Sequence, residues 1–279
     1  MSKSDAILTA RARDFASEAG KREYEFILSR FLSPSEQAAF SAELWREDPS
    51  VAARSFFYGG ASGADRRICI AVPSFVDVDG ITRDVFSPER ETSFVTAVSE
   101  ALPDETFGIV PLRIRGGGFV KLSHRDYMGS ILALGIEREV VGDIAVTDDY
   151  SAIVFVSEVI APYITTSLER AGRDKVRVSV ADVPPDFVIP RKFQSMQLVA
   201  ASPRADAVVA ALTNASRAEA KDMCLGGLVD VNHVSCTATD KTVSPGDIVS
   251  VRGYGKFIID SFNGETRSGR ARLSVRKYL

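Results

Sequence analysis

Three basic side chains near the C-terminal end, Arg204, Arg217 and Lys221, are placed to meet a phosphate backbone. Ser216 is a natural helix N-cap, and Arg217 and Lys221 lie four residues apart, on one face of the helix it would start. A phosphate could then meet both cations near the positive end of that helix. Arg204, on a preceding helix, would border the same groove. Gly227 permits a tight exit into Val229-Asp230-Val231, whose alternation suits a half-buried strand, and Asn232 suits the turn that follows. In Arg252-Gly253-Tyr254-Gly255-Lys256-Phe257, two cations flank glycines that let a ligand approach the backbone closely. Tyr254 suits stacking on a base or packing in a strand. Arg204, Ser216, Arg217, Lys221, Asn232, Arg252 and Lys256 are therefore the candidate residues for binding RNA, by phosphate neutralisation around a concave surface.

A second group lies mid-chain. Arg113, Arg115, Lys121 and Arg125 are candidates for a secondary RNA contact beside Leu122-Ser123-His124-Arg125-Asp126-Tyr127. Ser123 and Asp126 have the spacing of a helix cap. His124-Arg125-Asp126 superficially matches a kinase catalytic loop, but the glycine-rich loop, paired lysine strand and metal-binding Asp-Phe-Gly are missing in context. Gly116-Gly117-Gly118 is a turn signal and no cofactor fingerprint. Cys69, Cys224 and Cys236 form no CxxC pair, and His124 and His233 are the only histidines, so no metal site and no cofactor are expected. No catalytic residue is proposed, and the chain is read as a binder rather than an enzyme.

The elements that must position these cations come from a chain of 279 residues, 45% apolar and 25% charged, long enough for about two or three domains. No apolar run is long enough to span a membrane, and Asp5, Arg11, Arg13 and Asp14 interrupt any signal-peptide core, so a cytoplasmic protein is expected. The net charge of −3 is unevenly divided. Residues 191–279 carry 13 Lys and Arg against 8 Asp and Glu, a net of +5, while residues 1–190 carry 21 against 29, a net of −8. A phosphate backbone responds to the local field, so an acidic body with a basic end is compatible with RNA binding.

The fold class expected is α+β, in three parts. Residues 1–58 read as helical: Leu8, Ala12, Phe15 and Ala19 share a face, Tyr24, Ile27, Leu28 and Phe31 repeat the spacing, and Ser33-Pro34-Ser35-Glu36 is a capping box. Residues 64–183 read as a ferredoxin-like or RNA-recognition-motif-like domain. It contains a strand with Ile68, Ile70 and Val72, a helix with Phe94, Val95, Val98 and Leu102, and a strand over 107–115. A helix from His124, a hairpin over 140–156, a helix over 157–171 and a strand over 175–181 complete it. Pro184-Pro185 and Pro190 mark a boundary. Residues 190–279 then read as two short helices, near 204–213 and 216–225, followed by short strands.

The run Arg204-Ala205-Asp206, Ser216-Arg217, Ala220, Gly227, Val229, Val231-Asn232 and Gly246-Asp247 resembles the S4-type RNA-binding domain. Met223-Cys224 replaces its usual Leu-Ile, and His233 its commoner Gly or Lys. With the middle segment Leu122–Ile144 and Arg252–Phe257, the chain from about residue 20 onward resembles the YlmH family of bacterial proteins. The resemblance implies a helical start, an RNA-recognition-motif-like middle and an S4-type end. It also implies rRNA or tRNA as partner on the large ribosomal subunit, in the handling of stalled subunits that still carry peptidyl-tRNA, and a looser link to cell division. The middle domain lacks the aromatic signature with which RNA-recognition motifs stack bases. Two other classes remain in view. An RNA-modifying enzyme, a pseudouridine synthase or methyltransferase, would carry its S4-type domain at the N-terminus, and a division adaptor would use the acidic helical region to bind protein. Protein partners are not legible.

Overall fold

The computed structural model describes residues 3–22, 26–76, 107–184 and 187–279. The expected helix with Phe94, Val95, Val98 and Leu102 lies outside them, as do Tyr24 and Pro185. The chain divides into two compact units, Met1–Pro190 and Arg191–Leu279. None of the helices among the described residues is long and apolar enough to cross a membrane.

The first unit opens with α1 (Lys3–Lys21), α2 (Pro34–Glu47) and α3 (Pro49–Ala53). Ala12, Phe15, Ala16 and Ala19 form the buried stripe of α1, and Phe15 meets Phe40 of α2 edge-on at 5.4 Å. The capping box is present: Glu36 Oε2 accepts from the Ser33 N–H at 2.7 Å, and Pro34 starts the helix. Ile27 and Leu28 depart from the helical reading. They form β1 (Ile27–Leu28), paired antiparallel with β3 (Ile68–Ala71), which also pairs with β2 (Ser55–Tyr58). Their spacing is compatible with a helix, but a partner strand about forty residues away decides the outcome. Tertiary pairing overrides a local pattern of this length.

The sheet of the middle region is built from β4 (Ile109–Gly116), β5 (Val141–Asp148), β6 (Ser151–Ser157), β7 (Arg170–Ala171) and β8 (Asp174–Val180), in the spatial order β5-β6-β4-β8-β7. Helix α4 (His124–Leu132) follows β4, and α5 (Ala161–Ser167) follows β6. The connection β4-α4-β5-β6-α5-β8, with β4 and β6 central, is the ferredoxin-like arrangement. The α5 helix is shorter than expected because a turn occupies 158–160 and Pro162 sets its start, while Arg170–Ala171 turns into strand.

Alternation along β4 sends Leu112 and Ile114 toward Tyr127 and Ile131 of α4 and Ile164 of α5. The other face of the sheet is partly covered. There Ile109, Ile153 and Phe155 share a core with Phe31, Phe56 and Ile70 from the N-terminal segment. Arg66 ties the two together, donating to the carbonyl oxygens of Phe31, Arg138 and Val141 at 3.0–3.2 Å.

The second unit is a six-stranded antiparallel sheet, covered by two helices. It contains β9 (Phe193–Ala200), α6 (Ala205–Thr213), α7 (Arg217–Leu225), β10 (Val229–Val231), β11 (Val234–Ser235), β12 (Ile248–Val251), β13 (Gly255–Glu265) and β14 (Ala271–Tyr278), with strand order β11-β10-β12-β13-β14-β9. Val208, Val209 and Leu212 of α6 and Ala220 and Cys224 of α7 pack on Val229, Val231, Val249, Val251, Phe257, Ile259, Leu273 and Val275. Burial pushes the Cys224 thiol up to about 11 and raises that of Cys236, which keeps both as uncharged core groups.

Candidate nucleic-acid interface

Arg204 and Arg217 come together on Asp206. Arg204 is the N-cap residue of α6, and its first turn is held by the segment 239–243, whose carbonyls at Thr239 and Lys241 accept from the Asp206 and Ala205 N–H groups. Asn214, in the left-handed region at φ 57°, ends α6 and lets the chain reverse into α7. This turn delivers Arg217 back to the start of α6. Arg204 Nε donates to Asp206 Oδ1 and Arg217 Nε to Oδ2, both at 3.2 Å.

The Asp206 side chain is 5% exposed, while those of Arg204 and Arg217 are 43% and 56% exposed. Burial alone would raise the Asp206 carboxyl, but the hydrogen bonds and charges of Arg204 and Arg217 outweigh it and hold the group below its ordinary value. The carboxylate therefore stays ionised and fixes two guanidinium groups on side chains that remain 43% and 56% exposed. Much of the entropy of two long side chains is lost before any ligand arrives, which favours binding. The trio keeps a net positive charge.

Asp206 lies within the S4-type run, but spacing alone does not show that it bridges the two arginines. A signal existed: it is the one carboxylate in the otherwise apolar run Ala205-Asp206-Ala207-Val208-Val209, and a charge on a buried face needs partners.

Lys221 is exposed one turn beyond Arg217 on α7. Ser216 does a different job. Its Oγ accepts from the Glu219 N–H at 3.2 Å, and Glu219 Oε2 accepts from the Ser216 N–H at 2.8 Å, a complete capping box. The anion at this helix start is the chain's own Glu219, so the cations rather than the free helix end remain for a phosphate.

Asn232 is also engaged within the fold. With His233 it forms a turn of two left-handed residues, φ 52° and 66°, closing the β10–β11 hairpin. Its Nδ2 donates to Asp247 Oδ1 and its Oδ1 accepts from the Ile248 N–H, both at 2.8 Å.

Arg252 and Tyr254 are exposed in the hairpin between β12 and β13. Lys256 does not join the concave surface that was expected. Phe257 faces the helix-covered core, so its neighbour Lys256 points to the other side of the sheet, where its Nζ lies 4.7 Å from the centre of the Tyr278 ring. Arg191 approaches the same ring at 5.5 Å, and Arg276 lies 4.9 Å over Phe193.

The four mid-chain candidates also separate. Arg113 and Arg115 are exposed on the sheet face opposite α4 and α5. Arg125 sits in the first turn of α4, and Lys121 pairs with Asp149 at 2.6 Å. The Ser123–Asp126 capping box holds the α4 start, with Asp126 Oδ2 accepting from the Ser123 N–H at 2.8 Å.

Two family models match these regions. One, described as "Putative RNA-binding domain in YlmH", matches residues 104–184, and the S4 domain matches residues 203–249. The chain thus matches the RNA-binding domain described for YlmH, followed by an S4 domain. The first match contains the ferredoxin-like sheet, and the second contains the Arg204–Asp206–Arg217 trio. The two matched domains fall on separate sheets of the chain.

Along most of its length the chain is similar to the Bacillus subtilis protein named "Ribosome-associated protein quality control protein P2". The two are 26% identical over 258 residues, 92% of this chain and 89% of that one. Among solved structures, "Cell division protein ylmH from Streptococcus pneumoniae" matches with a TM-score of 0.45 at 18% identity, over 65% of this chain and 93% of that one.

Proposed function

We propose that this protein is a non-enzymatic RNA-binding factor of the ribosome that grips rRNA or tRNA on the large subunit through its S4 module, in the rescue of stalled ribosomes. The observation that carries the reading is the Arg204–Asp206–Arg217 trio with Lys221 one helical turn away. It offers fixed cations for backbone phosphates and no positioned nucleophile or general base among them. Such a surface reads the shape and charge of folded RNA. The name of the Bacillus subtilis relative, matched over most of both chains, supports a ribosomal setting.

Sedimentation of a native lysate through sucrose gradients at low and raised salt tests this. The protein is expected with the large subunit, in an amount that falls with salt and with Arg217→Ala plus Lys221→Ala. A protein confined to the free fractions at both salts would overturn the ribosomal reading. An unchanged profile in the double variant would remove the site assignment.

A further inference from the structure

Resting on the reading that the chain binds RNA, we infer that the middle domain holds a second RNA segment on the uncovered end of its sheet face, through Arg113, Arg115, Lys175 and Arg177. The register puts Arg115 directly opposite Arg177 across β4 and β8, and Arg170 directly opposite Lys175 across β7 and β8. Arg113 follows two residues from Arg115, and Lys175 two from Arg177, so by alternation all five cations share one face. Like charges directly opposite each other destabilise a sheet. Arg113, Arg115, Lys175 and Arg177 are exposed and form no ion pair among the described residues. The arrangement costs stability in the absence of an anion and recovers it when one binds.

Protection of a sheet edge explains part of this. β8 is paired on one side only beyond Lys175, and charged side chains discourage edge pairing. That argument stops at β8. β4 lies in the middle of the sheet, between β6 and β8, with no free edge to protect, and it carries Arg113 and Arg115.

Two hollows adjoin the cationic strands. A hollow of about 990 Å³ at the β8 edge is lined by Arg115, Arg170, Lys175 and Arg177 together with Glu169, with Thr165 and Thr166 of α5 and with the helix-side Val176 and Val178, so the cations rim a groove that wraps round the edge. A second of about 470 Å³, lined by Arg113, Arg115, Tyr150 and Asp148, adjoins it through Arg115, Gly116 and Gly117. The loop leaving these glycines ends in Phe119, whose ring is 91% exposed. A run of cations beside an exposed aromatic matches an RNA strand, whose phosphates and bases lie along one chain. Polyphosphate and polyglutamate offer no ring to stack. The sheet itself presents arginines where a typical RNA-recognition motif presents aromatics, so its contact is with the backbone.

The test uses the full chain and a fluorescein-labelled stem-loop RNA, with binding followed by anisotropy across a salt series. Arg115→Gln plus Arg177→Gln removes two phosphate contacts. It is expected to weaken binding and to make the slope of log affinity against log salt shallower by about 1.5. Its melting temperature should hold or rise, since the like-charge pair is gone. Affinity and slope equal to wild type would overturn the inference, and would leave the S4 reading standing if Arg217→Ala plus Lys221→Ala still weakened binding.

On the unaltered protein, acetylation of Lys175 by an N-hydroxysuccinimide ester is expected to slow when the RNA is bound. Equal reactivity with and without RNA would count against the site whatever the variant's folding. Displacement of the RNA by a polyglutamate peptide at equal charge concentration would reassign the face to an acidic protein and overturn the proposal.

Discussion

Asp206 is the residue on which the S4 site turns. It is buried, accepts from two arginines, and is held below its ordinary pKa by them against the opposing effect of burial. Asp206→Asn keeps the shape and removes the charge that fixes both guanidinium groups. We expect it to cost about 1.5–3 kcal/mol of stability near neutral pH, the range for a hydrogen bond to a charged group. The pH dependence follows from linkage. A carboxyl whose folded pKa is depressed contributes stability fully above its unfolded pKa, about 3.9, and loses it as pH falls through the folded value. Wild type and Asp206→Asn should therefore differ in melting temperature at neutral pH and converge on strong acidification. An equal gap at both pH values would show that the ionised carboxylate is not what stabilises this turn.

The two helices of the S4 unit are defined at their ends as much as by their apolar faces. Asn214 in the left-handed region stops α6, and the Ser216–Glu219 box starts α7 within a few residues, so Arg217 is brought back onto Asp206. Ser216→Ala removes the acceptor for the Glu219 N–H and should destabilise the unit by about 1 kcal/mol. Because Ser216 holds the helix and leaves phosphate contact to its neighbours, RNA affinity at a temperature where the variant is folded should change little. Thermal melting and anisotropy on the same variant separate these roles. A large affinity loss in a fully folded Ser216→Ala would mean that its hydroxyl touches the RNA. The hairpin turn at Asn232–His233 is an element-level device of the same kind, with the Asn232 amide hydrogen-bonded to Asp247 and Ile248.

For the whole molecule, a net charge of −3 gives a misleading picture of what the surface does. The basic unit 191–279 and the cationic end of the middle sheet each present a local field, and fields beyond about 8–10 Å are screened at physiological salt. RNA affinity should follow these local fields, with log affinity falling against log salt at a slope of about −0.7 to −0.9 per phosphate contact. A slope of about −5 to −6 is expected if Arg204, Arg217, Lys221, Arg113, Arg115, Lys175 and Arg177 each meet one phosphate, measured by titration across a salt series. A slope near zero would mean that contacts other than phosphate neutralisation dominate.

Much of this was legible before folding is considered. The capping arrangements at Ser33 and Ser123, the N-cap at Ser216, the alternation of Val229 and Val231, and glycines beyond helix ends are local, so they survive any tertiary context. The S4-type spacing identified Arg204 and Arg217 by the same logic, since a short helix-turn-helix brings them close. What the one-dimensional pattern left undecided depends on which strand lies beside which. Ile27 and Leu28 become strand because Ile70 and Ala71 pair with them. Lys256 leaves the expected surface because the residue beside it, Phe257, takes the core-facing side. Arg115 meets Arg177, sixty-two residues along the chain, through the register of β4 against β8. Helix caps and turns are set by neighbours in sequence, whereas the face and partner of a strand residue are set by burial and pairing across the sheet. By itself the sequence determined the helix caps, the order of most elements and the basic S4 helices; the tertiary structure alone decided the strands at Ile27–Leu28, Ser55–Tyr58 and Phe193–Ala200 and which cations share a surface, because pairing and register are properties of the folded chain.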